Sequence, residues 1–116
     1  DLSEVTLTFS QIYETVFENN GCAGGYCHSD PFGGLNFISE DEAYWSLTTQ
    51  VSWQSPCEVD RYVTPGDPEA SLLWHKVRPY ADGDPWCGDK MPLGTMGLPA
   101  EDAALVEAWI AQGAIP

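Results

Sequence analysis

Four cysteines, at positions 22, 27, 57 and 87, and two histidines, at 28 and 75, carry most of the chemistry open to this 116-residue chain. The run Cys22-Ala-Gly-Gly-Tyr-Cys27-His28 sets a histidine directly after the second of two neighbouring thiols. That order of groups is needed when two thioether bonds fix one edge of a haem and the adjacent imidazole reaches its iron. The usual attachment spacing leaves two residues between the cysteines, whereas four stand here, so the loop has to bulge to keep both sulfurs near one macrocycle. Gly24-Gly25 gives the backbone that freedom. Two other readings use the same residues. Zinc could take Cys22, Cys27 and His28 with a fourth ligand from Cys57 or Cys87, although adjacent ligands at 27 and 28 suit zinc spacings poorly. A Cys22–Cys27 disulfide would close a small loop and leave His28 incidental.

These residues need elements to position them, and the pattern predicts four short helices joined by long ordered turns. The first starts at Thr8, where Thr8-Phe9-Ser10-Gln11 forms a capping box and Leu7 with Ile12 a hydrophobic staple. It should run to about Glu18, with Ile12, Tyr13, Val16 and Phe17 on one face, and stop at Asn19-Asn20-Gly21 just before the first cysteine. A second capping box, Ser39 to Glu42, opens a helix to about Thr48. Asp67-Pro68 cues a third, with Leu72, Leu73 and either His75 or Lys76 turned inward, ending near Arg78 before Pro79. The last begins near Pro99, carries Leu105, Val106, Trp109 and Ile110 inward, and ends at Gly113. Val51-Ser52-Trp53 and Arg61-Tyr62-Val63 are too crowded by prolines and cysteines for strands and read as extended loop. Tyr80 to Gly97 has turn chemistry without periodicity, the signature of a long loop that carries function. Within it, Asp82-Gly83-Asp84 with Asp89 does not follow a calcium-loop spacing and reads as a solvated acidic turn.

Composition narrows the function classes. A chain of this length with 43% hydrophobic residues suits one domain over residues 1–116. Eighteen acidic against four basic residues give a formal net charge of −14, which opposes binding to nucleic acid or anionic lipid. The acidity is that of a solvated surface, and it also suits a basic partner or a saline habitat. No apolar run approaches the roughly 20 residues of a membrane span, and the start Asp1-Leu2-Ser3-Glu4 lacks the charged and apolar regions of a signal peptide, as a processed mature chain would. With two histidines, no phosphate-binding loop and no dinucleotide fingerprint, hydrolase, kinase and nicotinamide chemistry lack parts.

The ordered set of features resembles a family. An aromatic N-terminal helix comes first, then the C-x4-C-H motif, Gly33-Gly34-Leu35-Asn36, and Pro65-Gly66-Asp67-Pro68 with Ser71-Leu72-Leu73. Met91-Pro92 and a final helix with Trp109-Ile110 and then Gly113-Ala114 complete the order over residues 8 to 114. This is similar to small bacterial monohaem c-type cytochrome domains with an extended haem-binding motif. The resemblance implies an all-α, cytochrome c-like fold whose first and last helices cross, and one covalently attached haem c. It implies electron transfer rather than enzymatic turnover, with a haem peroxidase or gas sensor as the minor alternative. It makes Cys22 and Cys27 the thioether anchors, His28 the proximal ligand and Met91 the sixth ligand, with Met96 and His75 as rival candidates. A thioether suits that position because it raises the potential and fills the site that oxygen would otherwise take.

Further expectations follow from this assignment. If Cys22 and Cys27 hold haem, Cys57 and Cys87 remain as a pair, and a periplasmic or extracellular setting, implied by covalent haem, lets a disulfide persist. Leu35, Phe37, Tyr44, Trp45 and Leu47 become haem or core packers, and Arg61, Tyr62 and Trp53 donors to haem propionates. The partners expected are redox proteins with basic docking surfaces, and self-association would extend the reach of a single haem. The rival expectation is a haem-free, disulfide-braced module that keeps a cytochrome-like shape for interaction or assembly.

Overall fold

The protein is described here by a computed structural model covering residues 2–19, 39–51, 57–82, 87, 90, 91 and 95–116. The described residues are all-α: helices and turns with no strand, and extended backbone pairs only at an antiparallel bridge between Val51 and Arg61. Arg61, Tyr62 and Val63 form no strand, as the sequence predicts, whereas Ser52 and Trp53 lie outside the described residues.

Helix α1 begins as an α-helix over Phe9–Ile12 and widens into a π-helical stretch over Tyr13–Glu18. Its start is fixed by the Thr8 capping box: Thr8 Oγ1 accepts from the Gln11 amide at 3.4 Å, and the Thr8 amide donates to Gln11 Oε1 at 3.0 Å. Leu7 and Ile12, the staple pair, are both buried. Phe9, Tyr13, Val16 and Phe17 face the core with them. Burial first, and then the nearby carboxylates of Glu18 and Glu40, push the Tyr13 phenol above its ordinary value.

Helix α2 spans Glu40–Thr49, with the Ser39 hydroxyl accepting from the Glu42 amide at 3.2 Å. Glu40, Asp41 and Glu42 occupy its first turn, where negative charge is favourable beside the unpaired helix amides. Ala43, Ser46 and Leu47 point inward, and Tyr44 is half-buried against them. Trp45 does not join the core: it is 57% exposed, because the turn of the helix that buries residues 43, 46 and 47 carries residue 45 to the opposite side.

The sequence-predicted third helix is broken in two. Asp67 Oδ1 accepts from the Ala70 amide at 3.2 Å and caps a 3-10 turn over Pro68–Ala70. The α-helical part, α3, runs from Leu72 to Val77. Ser71 between them is extended and fully buried, and its hydroxyl donates to the Asp67 carbonyl at 2.9 Å while accepting from the Thr64 amide at 2.8 Å. A side chain competing in this way for backbone partners interrupts a helix.

Helix α4, Ala100–Ala111, buries Ala103, Val106, Trp109 and Ile110, with Leu105 at the margin of the core. It meets α1 through aromatic rings: Phe9 lies 5.2 Å from Trp109 and 5.3 Å from Tyr44. The chain after α4 folds back on this contact. The Ile115 carbonyl accepts from the Phe9 amide at 2.9 Å and from Trp109 Nε1 at 2.8 Å, and the Ala114 carbonyl from the Tyr44 hydroxyl at 2.8 Å. Gln112 secures the short 3-10 turn Leu2–Glu4, its Nε2 donating to the carbonyls of Leu2 and Val5 and its Oε1 accepting from the Leu7 amide. Among the described residues no helix is long and apolar enough to cross a membrane.

Candidate functional site

Helix α3 is the part of the described fold on which the chemistry-bearing segments converge. Its six residues leave amides at the start and carbonyls at the end that need outside partners. At the start, the Leu72 and Leu73 amides donate to the carbonyls of Arg61 and Tyr62 at 2.8 and 2.9 Å, holding the extended 61–64 segment against the helix. At the end, each of the last four carbonyls is taken. Trp74 O accepts from the Arg78 amide at 2.9 Å, Lys76 O from the Met91 amide at 2.7 Å and Val77 O from the Leu98 amide at 2.8 Å. His75 O accepts from Lys90 Nζ at 2.8 Å. Pro79 then prevents continuation of the helix, and Arg78 before it is extended.

Met91 is therefore tied by its backbone to α3, and its side chain is partly buried against the core cluster. Met96, the rival thioether, is 63% exposed. Its backbone closes the base of the loop, with the Met96 carbonyl accepting from the Tyr80 amide at 2.8 Å. The loop can approach so closely only because residue 97 is glycine. A Cβ built on Gly97 would lie 2.4 Å from the Arg78 carbonyl oxygen, and its φ of +112° is one that residues with side chains rarely adopt.

Cys57 and Cys87 are joined in a disulfide, with Cα atoms 5.0 Å apart. The bond links the two segments that α3 holds at its opposite ends: Cys57 precedes the 61–64 segment, and Cys87 precedes Lys90 and Met91. Disulfide, extended segment, helix and methionine segment form a closed circuit. It also removes the two thiols from which a zinc site at Cys22, Cys27 and His28 would have drawn its fourth ligand. Among the described residues no group of three or more His, Cys, Asp or Glu side chains is placed to hold a metal ion. Replacing both Cys57 and Cys87 by serine removes a loop constraint worth roughly 3 kcal/mol. We expect the double variant to melt lower than the oxidised parent and to be insensitive to reductant; equal melting of the two would show that the disulfide constrains nothing.

Two buried nitrogens on α3 stand out. Trp74 and His75 are 7% and 4% exposed, yet Trp74 Nε1 and His75 Nδ1 have no hydrogen-bond partner among the described residues. His75 Nε2 lies 2.7 Å from the Glu69 carbonyl, which only accepts, so in the neutral ring Nε2 carries the proton and Nδ1 is the acceptor. The Glu69 carboxylate, 3.9 Å from His75 Nε2 and 3.6 Å from Arg78, is largely exposed and contributes little. Arg78 also lies over the Trp74 ring, 5.3 Å from its centre. A buried polar group left unpaired costs about 1–3 kcal/mol, so α3 presents one donor and one acceptor whose partners must come from outside the described residues or from a bound group.

Of the other residues singled out from the sequence, Tyr44 and Leu47 lie in or against the aromatic core, Tyr62 is buried and Arg61 is exposed. Cys22, Cys27 and His28 lie outside the described residues, as do Leu35, Phe37, Trp53, Asp84 and Asp89. Sequence reasoning missed Lys90, Gly97 and the Trp74 indole. The one available signal was scarcity: Lys90 is one of four basic residues and directly precedes Met91.

No family model, curated protein or solved structure matches this chain.

Proposed function

We propose that the chain is a monohaem c-type cytochrome that carries single electrons between redox partner proteins, with a cytochrome c-like fold and a site outside the cytoplasm. The observation that carries the reading is the Cys22-x4-Cys27-His28 run combined with a downstream methionine whose backbone is anchored to α3. The chain's residues fit the group. Cys22 and Cys27 supply thiols for two thioether bonds, His28 an imidazole ligand and Met91 a thioether ligand. The Trp74 indole, which has no partner among the described residues, is a donor that suits a propionate carboxylate. Met91 is favoured over Met96 because its side chain is partly buried and its segment is held on α3, whereas Met96 faces solvent. His75 stays the rival ligand: its Nε2 donates to the Glu69 carbonyl, which leaves the Nδ1 lone pair as the ligating atom, and the methionine–iron charge-transfer band separates the two.

When bound, the haem supplies the one-electron couple. The protein holds the ligands, and its apolar core of Phe9, Phe17, Leu47 and Trp109 provides a rigid frame. The net charge of −14 steers toward partners with basic docking surfaces. Conduction over longer distances would require self-association or a chain of partners.

The test is an absorption spectrum of the native protein, oxidised and reduced, with denatured intact mass on the same sample. The expected result is a sharp reduced c-type band and a mass increased by one haem. The second reading, a haem-free braced module for protein interaction, draws on the Cys57–Cys87 disulfide. It requires a colourless protein whose mass shows only the loss of cysteine hydrogens.

A further inference from the structure

We infer that Lys90 is a positioning residue for Met91, a latch that sets how firmly the thioether is presented as sixth ligand. The inference rests on the proposed ligation by Met91. Two consecutive residues of the loop bind two consecutive carbonyls of α3: Lys90 Nζ donates to His75 O at 2.8 Å, and the Met91 amide donates to Lys76 O at 2.7 Å. The first is charge-assisted and adds a cation beside the carbonyl end of the helix, where positive charge is favourable. The second fixes the amide bonded to the Cα from which the Met91 side chain extends. A thioether is a neutral, weak ligand, so its competition with outside ligands depends on how seldom the segment lifts away. Lys90 bonds the residue next to Lys76 and acts on the same movement. It reaches this position from a partly buried site, and it is one of four basic residues in the chain.

The arrangement separates the residue that ligates from the residue that holds it. Losing one charge-assisted hydrogen bond raises the opening equilibrium of the Met91 segment about ten- to a hundred-fold. That opening would be read as binding of an outside ligand, since a lifted thioether leaves its position to be taken.

The experiment uses the full haem-loaded chain, its Lys90→Leu variant, which keeps the aliphatic stem and removes the ammonium, and Lys90→Arg, which keeps a charged donor. Imidazole is titrated into each oxidised protein while the methionine–iron charge-transfer band is followed, with intact mass confirming equal haem attachment. Lys90→Leu is expected to bind imidazole about ten- to a hundred-fold more tightly than the parent, and Lys90→Arg to return to within a few-fold of it. Amide exchange in the reduced parent protein, which needs no variant, is expected to show the Met91 amide protected. Equal imidazole affinity in parent and Lys90→Leu, or a Met91 amide that exchanges as fast as exposed loop, overturns the latch while leaving the cytochrome reading standing. A parent protein without covalent haem, or with haem but no methionine–iron band, overturns the ligation reading and the latch with it.

Discussion

Gly97→Ala is expected to destabilise the protein by about 4 kcal/mol and to free the Met91 segment from α3. Two independent penalties combine. The backbone at 97 has a φ of +112°, and the added methyl would sit 2.4 Å from the Arg78 carbonyl oxygen, with Val77 O 3.0 Å away. Both are backbone oxygens, at the last residue of α3 and the one after it, and Val77 O already accepts from the Leu98 amide, so neither swings aside as a side chain would. Gly66 isolates the contact term: its φ is +86°, but nothing lies within 4 Å of the position its Cβ would take. Gly66→Ala should therefore cost only backbone strain, about 1–2 kcal/mol. Thermal denaturation of both variants checks this, with a fall of about 16 °C for Gly97→Ala and about 4–8 °C for Gly66→Ala. If the two fell equally, the close approach of the loop to Arg78 would be wrong, and with it the docking of the methionine segment.

Much of the helical framework was legible because it depends on neighbours in sequence. The Thr8 and Ser39 caps are written within four residues, and the inward face of α4 repeats at helical spacing, so local chemistry suffices to place them. The all-α class followed. What was not legible depends on contacts that form only once the chain has folded. The break at Ser71 arises because its hydroxyl is drawn to Thr64 and Asp67, a pairing that exists only once the turn has folded back. Trp45 reads from its type as a haem or core packer, whereas its helical phase turns it away from the core. The site divides along the same line. The proposed haem reading starts from a local word, the Cys22-x4-Cys27-His28 run, which lies outside the described residues, while the advantage of Met91 over Met96 lies in a backbone bond to α3 and in burial, neither of which spacing reveals. Lys90 is harder still, since a lysine before a methionine has no meaning until the end of a helix is found within its reach.

The closed circuit formed by the disulfide, the 61–64 segment, α3 and the methionine segment has an energetic logic. A helix of six residues is too short to persist by itself in water. Here its two ends are satisfied by segments that the Cys57–Cys87 bond joins to one another, so helix and loop order together. A chain with 11 glycines and nine prolines has little regular structure with which to fix a loop, and a covalent link provides the constraint that length would otherwise supply.

Trp109→Ala should have the largest effect of any single substitution in the core, about 3–5 kcal/mol, and it should act globally rather than at the Met91 segment. The Trp109 side chain is fully buried, its ring lies 5.2 Å from Phe9 and 6.5 Å from Tyr44, and its Nε1 donates to the Ile115 carbonyl at 2.8 Å. It thus joins α1, α2, α4 and the returning chain end at one point. Truncation leaves a large cavity and removes one of the two donors to the Ile115 carbonyl, which keeps the Phe9 amide. Against the 5–15 kcal/mol that hold a typical domain folded, such a loss leaves a substantial unfolded population at physiological temperature. Trp109→Phe separates packing from the hydrogen bond: the ring contact with Phe9 survives, the indole donor does not, and the cost should fall to about 1–2 kcal/mol. Denaturant unfolding of the two variants checks the order. Equal losses would place the weight on the bond to Ile115 and the folding back of the chain end rather than on the aromatic contact between the first and last helices.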